Sequence, residues 1–276
     1  NIETSGFPLW ALGIIVGIHS GLFWTSYHTD FATVSDGKHL DKEVGFVKFA
    51  IKISGVMGPV IGGAIIATFG FNPLLWIVVI LLALSVVPLF FSKDVHSSSN
   101  ISIRRAFKGK KVKDWIALAA SGLENSVAGV LWPIFIFFTV ISSFETVGLV
   151  TSVSLVISLM FIIITGKLAD KHRNIVMRVG SITNAIVWGL KAFATSVSMV
   201  FVTDSLHGAT KTLMSVPFEA KTYKNAERQG VIEYVLFRAI AVGIGSAALF
   251  VVMLFVTDIT TSFWLGAGSS LLFLLL

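Results

Sequence analysis

The sequence predicts an all-α polytopic membrane protein, and three observations predict it. Hydrophobic residues fill 55% of the 276 positions and charged residues only 13%, whereas globular domains run nearer a quarter charged. A chain of this size has too little interior to hide so much apolar surface, so the excess must face lipid. The apolar residues also fall into blocks of about 20, the length that crosses about 30 Å of hydrocarbon, and mean hydropathy is +0.87. Other classes are excluded by the same counts. The 23 Phe and 7 Trp argue against a polar, solvated chain. The absence of cysteine excludes disulfide scaffolds, thiolate metal sites and cysteine nucleophiles.

Nine spans follow in order. The first, 8–27, closes on Trp24, Tyr27, His28 and Asp30, which read as an interfacial belt or as a gate. The second, 45–69, is rich in small residues, and the third, 74–91, holds no ionisable side chain. Spans at 115–141, 147–166, 175–193, 199–218 and 232–256 follow, joined by short connections. The ninth, 263–276, is about 14 residues and about 21 Å long, short of a full crossing. The chain also begins at Asn1 rather than Met, so it is expected to be a fragment.

The basic residues orient these spans. Of the 21 Lys and Arg, 18 fall on the connections after spans one, three, five and seven or on the adjoining span ends. Lys191 stands alone on the opposite side, read as snorkelling toward the far interface. The positive-inside rule then places the basic connections and the C-terminus in the cytoplasm, in a plasma-type (cell inner) membrane. The net charge of +6 is therefore a topology signal, with no nucleic-acid partner implied. The 92–114 loop, the longest connection, is basic enough to meet anionic lipid.

Two motifs stand out. Span two carries Gly45, then Ser54, Gly58, Pro59, Gly62 and Gly63, a small-residue face interrupted by proline that lets helices pack backbone to backbone. After span five the sequence reads Gly166-Lys167-Leu168-Ala169-Asp170-Lys171-His172-Arg173. Here Asp170 could lean on the positive N-terminal end of a neighbouring helix, while Lys171 and Arg173 pair with acids or lipid phosphates. Gly166, Asp170, Lys171 and Arg173 thus read as a conformational latch, against a plain charged interfacial loop.

These residues resemble the major facilitator superfamily (MFS) of secondary transporters. The 166–173 stretch is similar to its loop signature G-x-L-a-D-[RK], and Gly58-Pro59 with Gly62-Gly63 is similar to the signature of its fifth helix. Ser54 stands where that pattern has glycine, Arg173 where the loop motif has glycine, and Asn174 where it has a base. The resemblance implies helices 4–12 of a twelve-helix bundle: the last three helices of the first half over 1–91, the joining loop at 92–114, and a six-helix second half over 115–276. It further implies alternating access, a small-molecule substrate and a monomer. The family's fourth helix often carries an arginine. Span one has only His19 in the corresponding stretch, which puts drug-efflux-type proton antiport in doubt.

Ionisable side chains inside spans are expensive and mark cavities or partners. They concentrate in spans one, four and seven as His19, Glu124, Asp204, His207 and Lys211. Asp204, His207 and Lys211 share an arc of about 60° on a helix. They are either a polar stripe for substrate or proton, or a self-neutralising Asp–Lys pair. Glu124 lies about 13 Å from the basic end, near the midplane, a depth that suits a proton carrier. Asn125 and Trp132, seven apart on one face, are weaker substrate candidates. Arg238 in span eight needs a partner that the sequence does not identify. No phosphate loop, metal-ligand spacing or serine elbow is present, so no enzyme activity, metal or cofactor is implied. The expected function is secondary active transport of a small solute with protons as a candidate coupling ion. The alternative is a transporter-like protein that binds a ligand or partner without moving it.

Overall fold

The computed structural model describes residues 9–35, 39–91 and 103–276. Pro8, Lys38 and most of the basic loop (92–102) lie outside the described residues, as does the side chain of Ser54. Among the described residues the chain is helical without strands. Helices α1 (Leu9–Val34) and α2 (Leu40–Phe69) are followed by a turn at Gly70, whose φ of 80° suits glycine, and by α3 (Phe71–Val86). A short α4 (Ile103–Phe107) precedes α5 (Val112–Val140) and α6 (Phe144–Lys191). Helices α7 (Val197–Gln229), α8 (Val231–Met253) and α9 (Thr261–Leu272) complete the bundle. Four of them (α2, α5, α6 and α8) are each long and apolar enough to cross a membrane, with mean hydropathies from 1.6 to 2.6. The chain is an all-α polytopic membrane protein.

Two local features add to the sequence reading. Spans five and six are two helices that meet at His172, where φ −135° and ψ 45° break the 144–191 helical run. That break reverses the chain. Ser158 and Asn184 would stand about 39 Å apart on a straight helix. Yet Ser158 Oγ donates to the Gly208 carbonyl (2.9 Å) and Asn184 Oδ1 accepts from Thr210 Oγ1 (2.9 Å), on one turn of α7. The two limbs, 144–171 and 173–191, therefore lie side by side, and the 166–173 motif is mostly helical. The second feature is in α5, which widens to π-helix at Val127–Leu131 and Ile136–Val140. Pro133 lies between these segments. It has no N–H for the Gly129 carbonyl, and its ring crowds that carbonyl, so the ladder is displaced.

Small residues set the helix contacts. α2 runs antiparallel to the first limb of α6: Gly45 meets Gly166, Gly148 meets the Pro59 carbonyl, and Gly63 meets Phe144. A side chain at Gly148 would overlap the backbone of α2, and one at Gly180 that of Leu213–Met214 on α7. Likewise Gly245 on α8 leaves no room for a side chain against Ala119 on α5. In lipid, where no hydrophobic force drives helices together, such close approach supplies the dispersion contact. The face of α3 stays apolar and exposed from Leu75 to Val86, as a lipid-facing surface does.

Candidate functional site

A cavity of about 310 Å³ opens where α2, α5, the first limb of α6 and α7 meet. It is lined by Lys52 from α2, Asn125 from α5, Thr151, Ser154 and Ser158 from α6, and Asp204, His207 and Lys211 from α7. Its volume sits at the lower end of the roughly 300–1,000 Å³ that ligand sites occupy. The displaced ladder of α5 runs along its wall at Ala128 and Gly129.

Behind the wall lies a buried charge network. Glu124 is fully buried, with Lys211 Nζ 2.8 Å from its Oε2, off the hydrogen-bonding direction. Its Oε1 accepts from Trp188 Nε1 (3.3 Å) and Asn184 Nδ2 (3.4 Å), and His207 Nε2 stands 3.8 Å away. Asn184 is itself fixed by Thr210 and by Ser270 of α9 (2.9 Å). Asp204 accepts from Lys191 Nζ (2.8 Å) and Trp132 Nε1 (2.7 Å) on the same oxygen. Lys191 lies over the Trp132 and Trp188 rings, 4.1 and 4.7 Å from their centroids. Burial of each ion is thus offset by an opposite charge and, for Lys191, by two π faces.

The sequence-selected residues fare differently. Glu124, Asn125, Trp132, Asp204, His207 and Lys211 come together at this one place. His19 does not; it is exposed on α1, with Phe23 as its ring neighbour. The alternative of an Asp204–Lys211 pair does not form, because each residue reaches to another helix. Lys191 corrects the snorkelling reading: it is fully buried and points to Asp204. Lys52 and Ser158 were not singled out. The one signal available for Lys52 was its place seven residues inside the second span. Arg238 is half-buried and its Nε lacks a hydrogen-bond partner.

At the basic end of the bundle the 166–173 motif meets the first turn of α2. Asp170 faces Lys42 Nζ (3.1 Å) and His39 Nδ1 (3.8 Å), beside the positive end of that helix. Arg173 Nε donates to Asp41 Oδ2 (2.8 Å), and its guanidinium also forms an ion pair with that carboxylate. The pairing is crossed: each element gives one acid and one base. Lys171 is exposed. Nearby, Lys48 on α2 bonds Glu219 on α7 (2.8 Å), and His28 on α1 shares a hydrogen bond with Tyr223 (2.6 Å). On α2, Gly45, Pro59 and Gly63 touch α6, while Gly58 and Gly62 border open space. Among the described residues no group of three or more His, Asp and Glu could hold a metal ion.

A family model described as Major Facilitator Superfamily matches residues 3–115, a stretch that includes the proline-bearing small-residue helix α2. Over that stretch, about two fifths of its length, the chain is similar to this superfamily. The 166–173 motif lies beyond the matched stretch. Over 161 residues the chain is 24% identical to "Uncharacterized protein YqgE" of Bacillus subtilis (strain 168). That alignment covers 54% of this chain and 37% of the relative, so the chain spans little more than a third of that protein's length. With four helices long and apolar enough to cross a membrane, this chain is an integral membrane protein.

Proposed function

We propose that the protein carries out secondary active transport of a small solute by alternating access, with the 310 Å³ cavity as its binding site. The observation that carries this reading is the distribution of contacts around the cavity. α1 touches the rest of the bundle near its basic end, through His28 and Phe31 against Tyr223. Leu40 and Val44 pack on Val216, Ala220 and Tyr223 at that same end. Toward the other end, α1 from Gly13 to His19 is exposed. A bundle closed at one end and parted at the other matches one of the two states that alternating access requires.

In this reading residues 1–91 are three helices of one half, 92–114 the joining loop and 115–276 the second half. The basic end and the C-terminus face the cytoplasm of a plasma-type membrane, the 92–114 loop meets anionic lipid, and the protein works as a monomer. The closed end then faces the cytoplasm. Asp170, Arg173, Lys42 and Asp41 hold it shut, and Gly166 lets α6 approach α2 closely enough for them to meet.

Protons are the proposed coupling ion, carried by Glu124, with Asp204 and His207 nearby. Glu124 Oε2 has its partner Lys211 beside it but no directional bond, so a proton can replace that partner without a rearrangement of the helices. Full-length protein in sealed vesicles tests both parts. Glu124→Gln is expected to abolish uptake driven by a pH gradient while exchange of internal for external solute continues. Unchanged gradient-driven accumulation would remove Glu124 from the mechanism. Failure of the wild-type protein to move any solute would remove transport itself.

A further inference from the structure

The charge balance of the cavity is uneven. Five ionisable acid and lysine side chains line or back it, three lysines (Lys52, Lys191, Lys211) against two carboxylates (Glu124, Asp204). Both carboxylates are taken, each by a lysine 2.8 Å away. Lys48, the other lysine on this part of α2, is paired with Glu219. Lys52 has a hydroxyl as its partner, that of Ser158, and no carboxylate among the described residues. His207, were it to take a proton, would add a further positive charge.

An ammonium held in a membrane bundle without a counter-charge is costly, and the cost is relieved when an anion enters. The cavity also holds polar groups that lack partners. Ser154 Oγ and both ring nitrogens of His207 are buried and unbonded, and both residues line the space next to Lys52. Thr151 and Asn125 add neutral hydrogen-bonding groups to the same wall.

We infer that this cavity takes a small organic or inorganic anion. Lys52 is its charge-bearing contact, and Ser154 and His207 supply hydrogen bonds around it. The inference rests on the transport reading for the site's role, but the binding chemistry stands by itself. Lys52 comes from α2 and every other lining residue from α5, α6 or α7, so the anion bridges the two sides of the cavity. An anion bound there contacts both groups of helices at once, as a transported solute must if it is to favour closure around itself.

The test is ligand-dependent thermal stability of the full-length protein in detergent, followed by flux in vesicles. The probes are acetate, benzoate, succinate, inorganic phosphate and methanesulfonate, with acetamide, benzamide and succinamide as uncharged counterparts. At least one anion is expected to raise Tm by about 2–4 °C near tenfold saturation, and the amides by none. Lys52→Gln should weaken that anion about tenfold or more, and Lys52→Arg should retain most of it. Equal stabilisation by an acid and its amide, undiminished anion binding in Lys52→Gln, or no response to any anion would each overturn the proposal. Should Lys52→Gln not fold, the acid–amide comparison on wild-type protein decides alone. An anion that binds but is not moved would sink the transport reading and leave the anion site standing. Flux of uncharged or cationic solutes that Lys52→Gln leaves intact would do the reverse.

Discussion

Two charge clusters of similar composition do different work in this molecule. At the basic end, Asp41–Arg173 and Asp170–Lys42 are balanced, and their bases reach water: Lys42 is 51% exposed and Arg173 25%. In the middle of the bundle, Lys191 is fully buried against Asp204 (14% exposed), Lys211 is 25% exposed beside Glu124, and three lysines stand against two carboxylates. Pairs that reach water are weak and can be exchanged for solvent at little cost. Pairs sealed from water cannot, because breaking one strands a charge. The first arrangement suits a contact made and released in each cycle. The second suits a rigid site whose surplus charge waits for a ligand.

Substitutions that remove one partner should therefore rank by burial. Lys191→Met strands Asp204, leaving Trp132 Nε1 as its remaining partner, and should cost about 3–5 kcal/mol in thermal or denaturant unfolding. The paired change Lys191→Met with Asp204→Leu should recover much of that. No recovery would mean the ion pair is not what holds these helices. Next, Arg173→Gln leaves the fully buried Asp41 with a poorer partner, for a loss of about 1–3 kcal/mol. Smallest, Asp170→Asn should change stability by under about 1 kcal/mol. A loss at Asp170 as large as that at Lys191 would erase the distinction between the clusters.

The sequence exposed the mid-bundle acids because an ionisable residue stands out against an apolar span. Glu124, Asp204, His207 and Lys211 were legible for that reason, and Asn125 and Trp132 followed from helical spacing. Their partners were less so. Lys191 lies near a span end, where a long side chain can reach water, and nothing local says that it turns inward between two tryptophans. Lys52 was hidden among the basic residues that orient the chain. It differs from Lys42 and Lys48 only in being one or more turns deeper, and it takes α2 packed against α6 to bring it to Ser158. The break at His172 falls in the connection that the sequence places between spans five and six, although no proline or glycine marks the residue itself. Pro133 did mark the displaced ladder of α5, but a proline alone does not say that the helix widens rather than ends.

Accessibility of the cavity from each side of the membrane tests the central claim most directly. The 276-residue chain has no cysteine, so Ser154→Cys places a single thiol in this chain, on the cavity wall. In vesicles of known orientation, an impermeant thiol reagent should label it from the side opposite the basic loops. Adding Asp170→Asn should bring labelling from the basic side as well. Equal labelling from both sides before and after that change would contradict a cavity that opens alternately and a latch that holds one end closed.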